Sequence, residues 1–407
     1  MTKSHQLRHF TLWSVGIFLL SLFLQFLLVP SEFVGPDTAT YLELAQKAQS
    51  WSFWTDPSAF GSNYWPIGYP IFVATVWTFY GSVDTYAIQI VQILISSSFV
   101  FLTAPFTRGF NIKLRIFAAF LVGISPSVIS MGQTGGYELL LGFLLLVSLG
   151  ILWGTQGTPT GHRFWLAWLG PVSAGFTFGL AFLVQNKVII VIPVLIYLAV
   201  RWGRWPLFYF LFSAMFPPFA WALRNLIVRG SFDPRSTNGP VNIWIGNNPE
   251  SVAGGFMEPL PLPANSTSFV DAALQFIINQ PEASAALYLR KLARLLEPVY
   301  LYPEFDKPPG FSTVLHYSTF LLSVVLLLLF FAYLFAAIWR TDIGIPSLFP
   351  LALFYLLFIL VNLPFLAEAR YRTPLEPLLI SISVVTASAL WRKYTQDRFI
   401  EHDKIVD

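Results

Sequence analysis

The chain has 407 residues, of which 55% are hydrophobic and only 11% are charged, and its mean hydropathy is +0.63. Soluble globular proteins carry roughly 25% charged residues, so this composition excludes a water-soluble core and indicates a membrane protein. The absence of cysteine excludes disulfides, thiol nucleophiles and Cys-ligated zinc. The net charge of +3 is assigned to cytoplasmic Lys and Arg and not to a nucleic-acid partner.

Ten apolar runs predict transmembrane helices, because backbone polar groups in lipid must be satisfied within their own segment. The first run, Phe10 to Val29, is too long for a signal-peptide core and is expected to remain as a span. The run from Pro66 to Tyr80 is shorter and opens with a Pro-rich turn, which favours an interfacial or re-entrant helix. The predicted spans lie near 10–30, 86–106, 115–131, 138–154, 164–184, 188–200, 205–223, 313–339, 345–365 and 373–391.

Basic residues orient these spans, since short cytoplasmic loops are enriched in Lys and Arg. With the N-terminus inside, thirteen Lys and Arg fall on inner segments and four on the short outer loops. Both termini are therefore predicted to be cytoplasmic, with residues 392–407 as a short cytoplasmic tail. The chain is predicted to be an all-α polytopic protein of the cell membrane.

Two large outer loops, 31–85 and 224–312, are predicted to carry the chemistry. Of the 21 acidic residues, 16 fall outside in this topology. Neither loop resembles a separate domain, so residues 1–407 are predicted to form a single transmembrane domain. The long loop before the eighth span ends in Ala285 to Pro298, where Leu and basic residues alternate as in a helix lying on a membrane surface.

Two carboxylates at the predicted outer boundary are candidate catalytic groups. Asp37 precedes a short helix expected to run to Ala48, where it could act as an N-cap, as a general base, or as both. Glu138 opens the fourth span, where it could simply favour the helix N-terminus. It could also orient a basic residue, or join Asp37 in binding a divalent metal, Mg²⁺ or Mn²⁺, that bridges a phosphate.

Basic residues in three separate hairpins reach the same outer face. Each one alone could be a snorkelling side chain at the membrane interface. As a group they are an exception to the rule that basic residues concentrate on the cytoplasmic side. Arg and Lys are also suited to bind a lipid phosphate. The predicted phosphate-binding residues are Lys187, Arg224, Arg370 and Arg372.

Aromatic and amide side chains also cluster in the outer loops. They could form an interfacial aromatic belt and an ordered loop, or they could stack on a sugar ring and bind carbohydrate hydroxyls. The predicted sugar- or acceptor-binding residues are Tyr41, Tyr64, Trp65, Tyr69, Asn242, Trp244, Asn247, Asn248 and Glu368.

Four motifs in this order resemble the bacterial GT-C glycosyltransferases related to protein O-mannosyltransferases and lipid A aminoarabinose transferases. Each motif is short, but their order and spacing between spans extend over most of the chain. The motifs are Pro36-Asp37-Thr-Ala-Thr-Tyr41, Pro66-Ile-Gly-Tyr-Pro-Ile-Phe72, Leu223-Arg224-Asn225 with Ser236 to Pro249, and Glu368-Ala-Arg-Tyr-Arg-Thr-Pro374.

The resemblance implies a GT-C-like transmembrane domain and an inverting transfer of a sugar from a polyprenyl-phosphate donor. It places Asp37 at the active centre, the family's second acidic position on Glu138, and the basic phosphate contacts on the four cations named above. It also implies a glycan, lipid or protein acceptor, and an active site on the periplasmic or extracellular side of a bacterial inner membrane. Aminoarabinose transferases usually show Lys-Pro-Pro where this chain has Trp65-Pro66-Ile, so that phosphate contact is in doubt.

Two other functions share many of these features. A transporter or flippase of lipid-linked sugars would usually show related halves, and would carry polar groups near the bilayer midplane. A glycan ligase or polymerase would use a lipid-pyrophosphate donor. Because the polar groups lie at the predicted membrane rim, glycosyl transfer is the preferred hypothesis.

Overall fold

The structure is a computed structural model that describes residues 3–28, 33, 35, 37–56, 64–154, 164–251, 260–264, 266–297, 311–339 and 348–406. These residues form helices and connecting segments, with no strand in the described ranges. The predicted all-α class is therefore confirmed. Segments 57–63, 252–259 and 298–310 of the two predicted outer loops lie outside the described residues.

Seventeen α-helices are described, and short 3-10 segments occur at Asn186–Val191, Ala369–Tyr371 and Thr373–Leu375. The first nine α-helices are α1 Lys3–Leu27, α2 Thr38–Ala48, α3 Trp51–Thr55, α4 Gly68–Tyr80, α5 Thr85–Phe106, α6 Ile112–Ile124, α7 Pro126–Gln133, α8 Glu138–Gly154 and α9 Phe164–Val184. The others are α10 Ile192–Val200, α11 Arg204–Arg229, α12 Gly239–Gly246, α13 Phe269–Asn279, α14 Pro281–Leu295, α15 Phe311–Ile338, α16 Phe349–Leu360 and α17 Glu376–Val406.

Helical structure lies at each of the ten predicted spans, but not every helix is long enough to cross a bilayer. By length and composition, five described helices could span a membrane, and six if the bent pair α6 and α7 forms one span. The apolar helices α8, α10 and α16 are shorter, as is the stretch Trp168–Val184 of α9. The chain therefore has the character of a multi-pass membrane protein, and the number of crossings stays a prediction.

A proline divides the span that the sequence predicts over 115–131. Ser125 has an extended backbone, with φ −61° and ψ 120°, and Pro126 opens α7 at 45° to α6. Proline disfavours the α conformation in the residue before it and cannot donate a helical hydrogen bond, so α6 must end at Ile124. The C-terminal part of this predicted span is consequently a separate short helix, α7.

The packed centre of the molecule lies among α5, α8, α9, α16 and α17, whose facing side chains form one apolar core. α9 also packs along α11. The first predicted outer loop carries α2, α3 and α4, and α2 ends at Ala48 as predicted. The predicted surface helix near 285–298 is observed as α14, four residues earlier at its start, and it pairs with α13.

A close backbone contact fixes α2 against the turn between α7 and α8. The Thr38 hydroxyl donates to the Gly35 carbonyl at 2.9 Å and lies 3.2 Å from the Gly135 carbonyl. A Cβ atom at Gly135 would collide with the Thr38 side chain, so this contact requires glycine. The contact brings Asp37, which precedes α2, close to Glu138, which opens α8.

Candidate functional site

A cavity of about 1110 Å³ opens among the loops that follow α1, α9, α11 and α16. Its wall combines the start of α2, the Tyr64–Pro66 turn, the Gln185–Lys187 turn, the residues leading into α12 and the segment 365–371. Eight residues singled out in the sequence line it: Asp37, Tyr41, Tyr64, Trp65, Lys187, Asn242, Glu368 and Arg370.

Asp37 has a left-handed backbone conformation that serves no capping purpose. Its φ of 69° makes it the one non-glycine residue of the described chain with positive φ, a region that Asp and Asn enter more readily than other side chains. It occupies the N-cap position of α2, yet its side chain accepts no hydrogen bond from that helix. The carboxylate is therefore available to the cavity that it lines.

The environment of Asp37 favours a proton acceptor stronger than an ordinary aspartate. Burial raises the pKa of its carboxyl above the usual 3.8, the Arg370 guanidinium lowers it, and the Glu368 carboxylate raises it. Because burial is the largest of these effects, the pKa is raised overall.

Arg370 is the central cation of the cavity and is held by two carboxylates. Its Nη1 lies 3.5 Å from Glu138 Oε1 and its Nε lies 2.5 Å from Glu368 Oε2. Its Nη2 donates to the Tyr371 hydroxyl at 3.1 Å. Glu138 is buried and does not line the cavity, so it orients Arg370 from behind.

Lys187 supplies a second basic side chain, and burial, together with the nearby Arg370 guanidinium, lowers the pKa of its amine to about 7. Its Nζ donates to Asn362 Oδ1 at 2.5 Å and lies 4.4 Å from the centre of the Tyr371 ring. The Arg370 guanidinium carbon lies 4.9 Å from the centre of the same ring. Both basic side chains therefore contact the same aromatic ring at the cavity wall.

The other two predicted phosphate ligands lie outside the cavity lining. Arg224 donates to the Phe53 carbonyl and to Asn225 Oδ1, and its guanidinium stacks on Phe53 and Trp221. These contacts fasten α3 to α11.

Arg372 is fully buried. It donates to Glu376 Oε2 at 3.0 Å and to the Glu297 carbonyl at 2.9 Å. These contacts join the start of α17 to the end of α14, which is a structural role.

Four of the predicted sugar-binding side chains also lie outside the cavity lining. Trp244 donates to the Leu260 carbonyl and packs against α13, and Tyr69 donates to Gln92 Oε1. Asn247 donates to Ile243 and Pro364 carbonyls, and Asn248 donates to carbonyls of its own helix end. The side-chain amides of Asn247 and Asn248, which were predicted to bind carbohydrate, thus donate to backbone carbonyls.

Several cavity residues were not singled out from the sequence. Tyr371 lies between Arg370 and Arg372 in the fourth motif, and this position could have identified it as a cavity residue. Arg235 binds Asp233 at the rim through two contacts of 3.0 Å, and Asn186 Oδ1 accepts hydrogen bonds from Ser236. Asn362, which holds Lys187, carried no sequence signal because it lies inside an apolar run.

The predicted metal site does not fit this arrangement. Within the described ranges, no group of three or more His, Asp or Glu side chains converges as a ligand set. The Glu138 carboxylate, one of the two predicted ligands, already faces the guanidinium of Arg370. A cation bridging Asp37 and Glu138 would have to displace that arginine.

Comparisons with known proteins find the fold in a larger enzyme. No family model matches the sequence, and no curated protein matches it. The fold is similar to an Archaeoglobus fulgidus oligosaccharyltransferase in the apo form, with a TM-score of 0.51 and 15% identity over 96% of this chain and 52% of that one. For the same protein in complex with Zn and sulfate, the TM-score is 0.52, with 15% identity over 94% and 49%. The chain thus spans about half the length of the solved structures it matches.

That oligosaccharyltransferase is a GT-C superfamily glycosyltransferase. At 15% identity, the similarity establishes the fold. The chain therefore shares the fold of a solved oligosaccharyltransferase, as the resemblance drawn from the four motifs implied.

Proposed function

We propose that this chain is an inverting membrane glycosyltransferase that moves a sugar from a polyprenyl-phosphate donor to an acceptor hydroxyl at the outer face of the membrane. The acceptor is a glycan, a lipid or a protein. The GT-C fold supports a glycosyltransferase, and the cavity chemistry supports the donor class.

One observation carries the proposal: Asp37 has a left-handed backbone and presents a non-capping carboxylate on the wall of a cavity whose central cation is Arg370. A non-glycine residue in this conformation is uncommon, and such residues are enriched at functional sites. A carboxylate with a raised pKa is suited to accept the proton of an attacking hydroxyl.

Two basic side chains of the lining support a donor that carries phosphate. Arg370 and Lys187 lie beside the carboxylates Asp37 and Glu368 in the lining, while Arg235 and Asp233 pair with each other at the rim. Arg and Lys are suited to bind phosphate, so these two residues are the proposed contacts of the departing group. The choice of a monophosphate donor follows from the GT-C resemblance of the four motifs.

The proposed reaction is an in-line displacement at the anomeric carbon. The acceptor oxygen forms a bond to that carbon as the bond to the phosphate oxygen breaks, and the configuration inverts. The acceptor proton passes to Asp37, and the departing phosphate takes the electron pair and is stabilised by Arg370 and Lys187. No step requires a nucleotide sugar.

The test compares the wild type with Asp37→Asn in lipid nanodiscs, using a panel of labelled polyprenyl-phosphate hexoses and pentoses. Release of free polyprenyl phosphate is measured together with the sugar-modified acceptor. Asparagine tolerates positive φ, so the variant removes the base and keeps the backbone. Turnover should fall about 10²- to 10⁴-fold, the usual contribution of a general base.

Unchanged turnover in Asp37→Asn would remove the catalytic role of this residue. Movement of intact donor across a vesicle bilayer without covalent transfer would instead identify a transporter. Turnover only with lipid-pyrophosphate donors would identify a ligase or polymerase.

A further inference from the structure

Lys291 is a buried lysine that the proposed mechanism does not use. It lies on α14 and has no exposed surface. Its Nζ donates to the Leu363 carbonyl at 2.8 Å, lies 3.4 Å from Asn247 Oδ1, and stands 4.8 Å from the centre of the Tyr288 ring. No described carboxylate forms an ion pair with it. Burial lowers the pKa of this amine to about 7.

The chain around Lys291 is packed without spare room. A Cβ at Gly246 would meet the Phe365 carbonyl at 2.5 Å and Lys291 Nζ at 3.1 Å, so this close approach requires glycine. Asn247, the next residue, donates to the Pro364 carbonyl. The Trp244 to Pro249 motif therefore joins the end of α12 to the segment that follows α16.

The other end of that segment is tied to α14 as well. Arg372 Nη2 donates to the Glu297 carbonyl, just beyond the C-terminus of α14. The segment between Leu363 and Arg372 contains Glu368 and Arg370, whose carboxylate and guanidinium contact each other in the cavity wall. One helix of the long outer loop thus holds both ends of the segment that carries them.

We propose that α14 is a strut that positions Glu368 and Arg370, and that Lys291 is the positioning residue that joins the strut to the cavity wall. The catalytic part of the proposal rests on the proposed glycosyltransferase function, and the structural part does not. Lys291 itself does not line the cavity. It acts through the segment 363–372 and through α12, which supplies Asn242 and Ile243 to the cavity.

A merely space-filling role fits these contacts poorly. A buried amine without a carboxylate is costly to maintain, and an apolar side chain of similar length would avoid that cost. Its two oxygen partners come from two different segments, Leu363 and Asn247, and both amine and ammonium can donate to them. The contacts specify the distance between these segments.

The structural test is amide hydrogen exchange of the full chain in nanodiscs. Lys291→Met should accelerate exchange in 362–372 by about threefold to tenfold, as the loss of one buried hydrogen bond predicts. The amides of Phe365, Tyr371 and Arg372 donate within this segment and report its opening. Gly246→Ala would place a Cβ of α12 against the Phe365 carbonyl and Lys291 Nζ. It should accelerate amide exchange in the same segment, 362–372. Arg290→Gln, an exposed change on the same helix, is the control.

The catalytic test is turnover of a labelled polyprenyl-phosphate sugar by the folded fraction of each variant. Lys291→Met and Gly246→Ala should lower kcat about tenfold or more and change the donor KM less than about threefold, since misplaced groups lose transition-state stabilisation. Arg290→Gln should match the wild type.

The outcomes separate the two proposals. A wild type without turnover, combined with faster exchange confined to 362–372, would reject the glycosyltransferase and keep the strut. A wild type that turns over, with normal kcat and unchanged local exchange in both variants, would reject the strut. An even rise in exchange along the whole chain with normal kcat would show ordinary destabilisation and would also reject it.

Discussion

Glu138 Oε1 and Arg370 Nη1 lie 3.5 Å apart although 232 positions separate them in the sequence, and the side chains are only 8% and 10% exposed. The pair explains how a cation is held at the cavity wall without a solvent shell. Glu368 also contacts Arg370, at 2.5 Å, so the guanidinium would keep one carboxylate partner if Glu138 were neutralised.

Glu138→Gln should therefore lower both stability and turnover. The neutral amide keeps the shape of the side chain but leaves Arg370 with Glu368 as its one remaining carboxylate contact, so we expect a lower thermal unfolding midpoint and a kcat at least about tenfold lower. Thermal scans in one detergent and turnover in nanodiscs measure the two effects. Glu282→Gln, an exposed change in the first turn of α14, is the matched control. Wild-type kcat in Glu138→Gln would show that this carboxylate does not orient the catalytic cation.

The raised pKa of Asp37 predicts a stability change as well as a loss of turnover. The folded state binds the proton of the Asp37 carboxyl more tightly than the unfolded state does. The contribution of this group to the free energy of unfolding is therefore fully present below pH 3.8, and it is lost as the pH rises through the raised pKa. Asp37→Asn should therefore unfold at a higher temperature than the wild type at pH 7, and the difference should vanish towards pH 3.8.

The same shift predicts the acid limb of the rate profile. Wild-type turnover should decline as the pH falls through the raised pKa of Asp37, because the protonated carboxyl accepts no proton. The residual turnover of Asp37→Asn should lack this limb. A wild-type limb that persists unaltered in the variant would assign the ionisation to another group.

Substitutions of Lys187 and Arg224 distinguish a basic residue that lines the cavity from one that has a structural role. Lys187→Met should raise the donor KM about 10-fold to 100-fold, since a hydrogen bond to a charged group contributes about 1.5–3 kcal/mol. Arg224→Met should leave that KM within about twofold and lower the thermal midpoint, because it loosens the contacts of α3 with α11. The reverse pattern of KM changes would place the phosphate near Arg224.

The buried pair of Arg372 and Glu376 should contribute to stability. Arg372→Met alone leaves Glu376 buried and unpaired and should lower the thermal midpoint markedly. The double variant Arg372→Met with Glu376→Leu should regain part of the loss, since two apolar groups need no charge partner. A double variant less stable than the single one would show that both charges have further partners.

Treatment with EDTA tests whether turnover depends on a divalent metal ion at the site. Because Arg370 already faces Glu138, we expect turnover in EDTA to stay within about twofold of the untreated enzyme. Loss of turnover that added Mg²⁺ or Mn²⁺ restores would show that a metal acts with Asp37 despite the arginine.

Local patterns in the sequence predicted much of the fold. Apolar runs located the helices, and the Asp37 motif located α2 and its end at Ala48. The Ser125–Pro126 step divided one predicted span, because the effect of a proline inside an apolar run depends on how the neighbouring helices pack.

The roles of individual polar residues were predicted less well. Lys187 and Arg224 both follow or close an apolar helix and look alike in the sequence, yet one lines the cavity and the other stacks on Phe53. The amides of Asn247 and Asn248 resemble sugar ligands but bind backbone carbonyls. A polar side chain takes its role from its partner, which a local pattern does not contain.

From the sequence alone came the membrane class, the positions of the helices and the short list of ionisable residues, because hydropathy and local turn chemistry act over a few neighbouring residues. Only the tertiary structure decided that Arg370 sits between Glu138 and Glu368, that Arg372 is buried in a separate pair, and that α14 holds both ends of the segment between Leu363 and Arg372. Those contacts join residues tens to hundreds of positions apart, and the packing of whole helices determines which of them meet.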